Sequence, residues 1–359
     1  MKILIVVGAR PQFIKAAMVS AALQSVDGNL KLITAHTGQH YDFNMSGIFF
    51  DQLALAKPDH HLGIGGLSSA SMTARMTEGL EKVIATEQPD CVVVFGDTDS
   101  TLAGALAAAK SGVRLAHVEA GLRSFDRRMP EEINRRLTDH ISDLLYTTSD
   151  VADENLRQEG ISGARVLQVG DVMYDACLRF GLAADMTEVP IPRAPFIIAT
   201  LHRAATTDDP KALAQAVSVL CEFAREITVL LPLHPRTRRR ASDAGLLDRL
   251  EQACRVVEPI GYLEMLKLLK HCAGVVTDSG GLQKEAFYMG RRCVVLRDRT
   301  EWVELVTTGQ TRLHDPCAGS IMPADLLEWL LQAASPSLKL YGGGEASTKL
   351  AHHLVSWHG

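Results

Sequence analysis

Two successive α/β domains with parallel sheets are what this sequence predicts, and three observations carry the prediction. The chain has 359 residues, more than one hydrophobic core usually serves. Short apolar runs of strand length alternate with helix-length segments, the pattern of repeated β-α-β units. Between two such series, residues 181–195 (GLAADMTEVPIPRAP) hold Pro190, Pro192 and Pro195 without a sustained period and read as a linker. The first domain is expected over 1–185 and the second over 186–345, followed by a tail at 346–359.

Residues 3–7 (ILIVV) read as a strand covered on both faces, and Gly8-Ala9-Arg10-Pro11 turns the chain into a helix over 12–24. This is not a dinucleotide fingerprint, because G-x-G-x-x-G spacing is absent. Arg10 and Lys15 lie close to a helix N-terminus, where backbone N–H groups favour an anion; solvated charge is the plainer use of each. A strand over 32–37 leads to His40, and a helix is expected around Met45 to Leu55. His60 and His61 have no partners at metal-ligand spacing, so no metal site is expected.

The most informative stretch is 91–136. Cys91–Phe95 reads as a strand, 101–110 as an Ala/Leu-rich helix and Arg114–Val118 as the next strand. A carboxylate follows each strand, Asp97 and then Glu119, and Pro130 opens a helix whose first turn carries Glu131 and Glu132. Parallel strands share one carboxyl edge, so Asp97 and Glu119 are expected on the same rim. Acid/base chemistry on a ligand is the sharp reading. The bland one has Asp97 capping the following helix and Glu119 pairing with Arg123. Arg123, Arg127, Arg128, Arg135 and Arg136 are candidates to hold an anion, or to pair with neighbouring acids.

Beyond strands at 141–148 and 166–169 and the linker, Phe196–Thr200 starts a second parallel series, ending in Leu201-His202-Arg203. Strand 228–233 ends in His234-Pro235-Arg236, and strand 274–277 ends in Asp278-Ser279-Gly280-Gly281. Ser279 and two glycines at a strand-to-helix turn let a phosphate approach backbone donors, and Glu285 lies one turn into the helix. A tight packing turn is the plain alternative. Strand 292–296, a helix near 322–334 and an amphipathic tail close the chain, with His352, His353 and His358 expected at the surface.

Composition sets limits. A hydrophobic share of 47% is ordinary for a folded chain, and a net charge of −5 argues against a broad nucleic-acid surface. The N-terminal apolar run is too short for a secretory signal or membrane span, so a cytoplasmic protein without membrane insertion is expected. The 7 Cys, odd in number and scattered, favour reduced core thiols.

GARPQFIK at 8–15, TGQH at 37–40, GDTDST at 96–101, HVEAGLRS at 117–124, PEEINR at 130–135, LHR at 201–203 and TDSGGLQKEA at 277–286 together resemble the non-hydrolysing UDP-N-acetylglucosamine 2-epimerase family. The resemblance implies two Rossmann-like domains in a B-type glycosyltransferase-like architecture, with the nucleotide sugar in the cleft and the last helix crossing back to the first domain. It implies Asp97, Glu119 and Glu131 in the chemical steps, and His202 beside the diphosphate. Arg10, Lys15, Arg236, Ser279, Gly280 and Gly281 fall on the nucleotide side, with Glu285 at the ribose and Tyr262 and Met265 in the segment near uracil. No cofactor is implied, and a homodimer is expected.

The family's chemistry removes the C2 proton while UDP leaves C1, giving a 2-acetamidoglucal to which UDP adds back. Where many relatives read SGG.QEE and RDTTERPE, this chain has SGGLQKE and RDRTEWVE. RSFDRRMPEEINR, QKEAFYMG and YGGGEAS are similar to a branch acting on UDP-2,3-diacetamido-2,3-dideoxy-glucuronate, in which Arg127 or Arg128 would meet the sugar carboxylate. UDP-N-acetylglucosamine is the first expectation and this uronate the alternative. A glycosyltransferase and a non-catalytic nucleotide-sugar sensor are the rivals outside the epimerases.

Overall fold

The computed structural model describes residues 1–39, 57–193, 195–318, 324–334 and 339–357, with the side chains of Arg10 and Ala324 excepted. His40, His358 and the helix expected around 45–55 lie outside the described residues. The chain divides into two compact units, one of Met1–Ala176 with Lys339–Gly359, the other of Cys177–Leu338.

The first unit is built on β1 (Lys2–Val7), β2 (Lys31–His36), β3 (His60–His61), β4 (Cys91–Phe95), β5 (Arg114–Ala120), β6 (Leu144–Thr147) and β7 (Val166–Gln168). Among the described residues these form one sheet in the order β3-β2-β1-β4-β5-β6-β7, parallel throughout. The short apolar runs are central strands because both faces are covered: every residue of β4 is buried, as is β1 from Ile3 onward. Helix Asp99–Lys110 reaches the sheet at Gly104, where an added Cβ would meet Val94 Cγ1 at 2.9 Å. Strand order reverses between β1 and β4, which makes the ends of these two strands the switch point of the sheet.

The second unit repeats this plan with β8 (Phe196–Thr200), β9 (Thr228–Pro232), β10 (Arg255–Val257), β11 (Gly274–Thr277), β12 (Cys293–Val295) and β13 (Thr311–Leu313). Its order is β10-β9-β8-β11-β12-β13, again parallel, with the reversal between β8 and β11. Leu213, Leu220, Phe223, Val229, Leu231 and Leu330 lie in its core.

Some boundaries differ from expectation for local reasons. Helix Pro130–Ile141 runs on through Ile141, so β6 starts at Leu144. Helix Val172–Ala184 occupies the start of the presumed linker, because the prolines come only later. Edge strands β3, β10 and β13 were not anticipated, being too short to show a period.

The tail forms helix Ala346–Ser356, which belongs to the first unit and packs on helix Arg10–Val26. Asp175 serves its N-terminus, accepting from the backbone N–H of Ala346 (3.1 Å) and of Ser347 (2.7 Å) and from Ser347 Oγ (2.6 Å). His353 is not a bare surface group: its Nδ1 lies 3.2 Å from Tyr146 Oη. Arg114 donates to the Trp357 carbonyl at 3.1 Å and lies over its ring. No described helix is long and apolar enough to cross a membrane.

Candidate active site

At the first switch point, Gln12 ties two strand ends together. Its Oε1 accepts from the N–H groups of Gly8 and Ala9, while its Nε2 donates to the Phe95 carbonyl at 2.8 Å and to Thr98 and Thr101 hydroxyls. Asp97 emerges just beyond, partly exposed. It does not cap the following helix. Thr98 does so, its hydroxyl accepting from Thr101 N–H. Asp97 Oδ2 instead accepts from Arg135 at 2.6 Å, and its carbonyl accepts from Asn134 Nδ2 at 3.0 Å.

Those partners come from helix Pro130–Ile141, whose inner face presents Glu132, Asn134, Arg135 and Asp139, all buried. The two adjacent acids at its start therefore differ. Glu132 is 1% exposed and accepts from Ser124 N–H (2.7 Å), Ser124 Oγ (2.9 Å) and Arg135 (3.2 Å). Glu131, one position round the helix, is only half-buried.

Glu119 stands where β5 breaks step. The pairing of β5 with β6 shifts register between Val118 and Ala120, and Glu119 has φ of +72°. A side chain with a Cβ in the left-handed region costs about 1–3 kcal/mol, so the surrounding structure must enforce it. The bulge re-aims the carboxylate towards Lys15 of helix Arg10–Val26. Glu119 Oε2 lies 2.5 Å from Lys15 Nζ, both side chains nearly buried. Gly96 (φ +62°) leaves room here: an added Cβ would lie 3.6 Å from Lys15 Nζ and 3.9 Å from Glu119 Oε1.

Sequence reasoning passed over the group that flanks the bulge. His117 and Asp139 are fully buried, with His117 Nδ1 2.7 Å from Asp139 Oδ1 and its Nε2 2.7 Å from the Gly96 carbonyl. Asp139 also accepts from Arg123 (2.7 Å) and from Gly121 N–H (3.2 Å). Burial alone would raise the Asp139 carboxyl, but His117 and Arg123 hold it below the usual carboxylate value. A polar His inside an apolar strand, and an acid seven positions after Glu132, were the available signals.

The arginines are mostly spoken for. Arg123 pairs with Asp139 and Glu159, not with Glu119. Arg135 pairs with Asp97 and Glu132, Arg136 with Glu159, and Arg128 grips Asp126 with Nε and Nη2 (2.9 and 2.7 Å). Arg127 is exposed and forms no ion pair among the described residues.

In the second unit, the switch point carries His202 and Ser279. Asp278, fully buried, accepts from the N–H groups of His202 (3.0 Å) and Arg203 (2.9 Å), joining the ends of β8 and β11. His202 keeps its ring about half exposed, 3.4 Å from Asp278. Partial burial, aided by Arg203 and His234 and opposed by Asp278, holds its pKa below the ordinary histidine value. Ser279 is the N-cap of helix Gly280–Tyr288. At Gly280 an added Cβ would meet Glu301 Oε1 at 2.3 Å, so that side chain would have to shift. Gly281 faces open space, with nothing within 4 Å of such a Cβ.

Glu285 is half-buried, whereas Lys284 turns inward over the Trp302 ring at 3.9 Å. The two departures from the family patterns thus contact each other. Arg236 pairs with Asp208 on the surface at 2.5 Å. Tyr262 is 6% exposed, packed edge-on to Phe180 with its hydroxyl 3.6 Å from Cys177 Sγ, and Met265 is half-buried. No group of His, Cys, Asp and Glu suited to a metal occurs among the described residues.

The sequence model of UDP-N-acetylglucosamine 2-epimerase matches residues 22–355. The chain belongs to this family. A UDP-2,3-diacetamido-2,3-dideoxy-D-glucuronate 2-epimerase of Pseudomonas aeruginosa is 48% identical, covering 99% of both chains. A UDP-N-acetylglucosamine 2-epimerase of Methanocaldococcus jannaschii is 41% identical, covering 99% of both. The crystal structure of the M. jannaschii enzyme with UDP-GlcNAc and UDP superposes with a TM-score of 0.90 at 36% identity, over 99% of this chain and 100% of the other. A lipopolysaccharide outer core galactosyltransferase, 14% identical with a TM-score of 0.51, shares the fold alone.

The contrast between the two adjacent acids is measurable by denaturant unfolding. Glu132→Gln, which weakens three buried contacts, is expected to lower the unfolding free energy by about 2 kcal/mol. Glu131→Gln is expected to stay within about 0.5 kcal/mol of the parent.

Proposed function

We propose that this chain is a non-hydrolysing UDP-sugar 2-epimerase acting on a UDP-activated 2-acetamido sugar. The observation that carries the reading is Glu119, forced out of β5 by a bulge at the carboxyl edge of a parallel sheet in a chain of this family. Reversal at C2 needs one group to take the C2 proton and a differently placed one to return a proton to the opposite face. Asp97, Glu119 and Glu131 are the carboxylates for these steps. Arg135 and Lys15 orient two of them.

As the C2–H bond breaks, its electrons form the C1–C2 double bond of the glucal, and the C1–O bond breaks to release UDP with its electron pair. Re-addition reverses this after proton delivery from the other side. The departing diphosphate gathers negative charge, which positioned donors stabilise. In this proposal His202 and the backbone at 279–281 supply them, and Glu285 holds the ribose.

Two sugars suit the reaction. UDP-N-acetylglucosamine, interconverted with UDP-N-acetylmannosamine, is the broad activity and is named for the M. jannaschii relative. UDP-2,3-diacetamido-2,3-dideoxy-glucuronate is favoured by the 48% identical Pseudomonas relative, and Arg127 is the cation available for its extra carboxylate.

Proton NMR of the purified chain with each UDP-sugar in deuterated buffer tests the reaction. Two UDP-sugar anomeric signals and loss of the C2 proton signal are the expected result. No epimer from either sugar contradicts the reading, and binding without turnover would make the chain a sensor. Asp97→Asn, Glu119→Gln and Glu131→Gln are each expected to cut turnover about 100-fold or more, with UDP affinity changed about threefold at most. Full activity in all three removes these assignments.

The sugar is tested by Arg127→Ala, expected to lower kcat/KM for the uronate about 10- to 100-fold while UDP-N-acetylglucosamine kinetics stay within about threefold. Arg128→Ala is expected to change neither. Equal losses on both sugars would contradict a role for Arg127 at the carboxylate.

A further inference from the structure

Glu119 is one of the non-glycine residues with positive φ, and nothing in its own sequence asks for that conformation. Neither neighbour, Val118 nor Ala120, favours a left-handed backbone, and the following glycine, Gly121, has its own left-handed turn at φ +81°. Some tertiary contact must therefore hold the backbone. The Lys15–Glu119 contact acts at the end of the side chain and does not set φ.

The contacts that bracket the bulge converge on one buried group. Two residues before Glu119, the His117 ring meets Asp139 Oδ1 at 2.7 Å; two residues after it, Gly121 N–H donates to Asp139 Oδ2 at 3.2 Å. Arg123 Nη1 reaches the same Oδ2 at 2.7 Å, which fixes the far end of the segment. The other His117 nitrogen bonds the Gly96 carbonyl at 2.7 Å, so the same group also secures the turn that leads into Asp97. On its outer side Gly121 is enclosed: its carbonyl accepts from Asn155 at 3.0 Å, and an added Cβ would meet the Ala152 carbonyl at 2.4 Å.

We propose that Asp139 is a positioning residue for catalysis, clamping β5 on both sides of Glu119 so that the strained backbone presents its carboxylate to the sugar. Asp139 is fully buried and touches no reacting atom in this scheme. The inference rests on the reading that Glu119 takes part in the chemistry. Ala at position 139 removes both acceptor oxygens, so His117, Gly121 and Arg123 all lose the group they share, whereas Asn could keep the three contacts by donating to Nδ1 of a neutral His117.

The test compares Asp139→Ala, Glu119→Gln and the double variant by kcat, KM and UDP affinity, together with a crystal structure of Asp139→Ala. Asp139→Ala is expected to lower kcat about 30-fold or more, with UDP affinity within about threefold of the parent. In the double variant kcat is expected within about threefold of Glu119→Gln alone, because the clamp acts only through that carboxylate. The crystal structure is expected to show residue 119 relaxed to negative φ.

Turnover of Asp139→Ala within about threefold of the parent, losses that multiply in the double variant, or an unchanged φ at 119 each overturn the proposal. A fully active Glu119→Gln would instead remove the chemical role of Glu119, while φ in the Asp139→Ala structure still decides the clamp. If Asp139→Ala does not fold, His117→Asn, which leaves Asp139 its Arg123 partner, takes its place with the same expected and overturning results.

Discussion

The 2.5 Å contact between Lys15 and Glu119 depends on a strand departing from strand geometry. Lys15 follows β1 and Glu119 stands at the end of β5, with β4 lying between these strands in the sheet. A regular β5 would alternate its side chains between the two faces of the sheet, as every strand does. The bulge removes Glu119 from that alternation and aims it along the carboxyl edge, past Gly96. A Cβ on residue 96 would stand in ordinary contact with both groups, and it is φ of +62° there that suits glycine.

Much of the fold was legible because its signals are local. Cys91–Phe95 is both expected and observed as a strand, since an unbroken β-branched run needs cover on both faces, which a parallel sheet provides. Pro130 marks the start of the helix carrying the acids for an equally local reason: its ring presets φ and its missing N–H would have no helical partner. The edge strands were less legible. Arg255–Val257 and Thr311–Leu313 owe their pairing to the strands beside them more than to their own composition.

The candidate site was legible in its members and not in their partnerships. Strand-end position singled out Asp97, Glu119, His202 and Ser279. Which cation meets which acid is a tertiary fact, and proximity in sequence misled. Arg123 is four residues from Glu119 yet pairs with Asp139 and Glu159, and Glu119 takes its partner from a helix over a hundred positions away. Tyr262 shows the same limit in another form. An aromatic at the start of a helix suits a base-binding surface or a core equally well, and here its ring lies against Phe180. The bulge left no trace in sequence, because Val-Glu-Ala has none of the glycine that usually accompanies positive φ.

Family membership and geometry meet in one proposal: the carboxyl edge of the first sheet serves as an acid/base surface for the C2 carbon of a UDP-sugar. A crystal structure of the chain with its UDP-sugar bound tests this most directly. The account expects a carboxylate oxygen of Asp97, Glu119 or Glu131 within about 3.2 Å of C2 or of a water bonded to it. A sugar bound with C2 out of reach of all three carboxylates would contradict it.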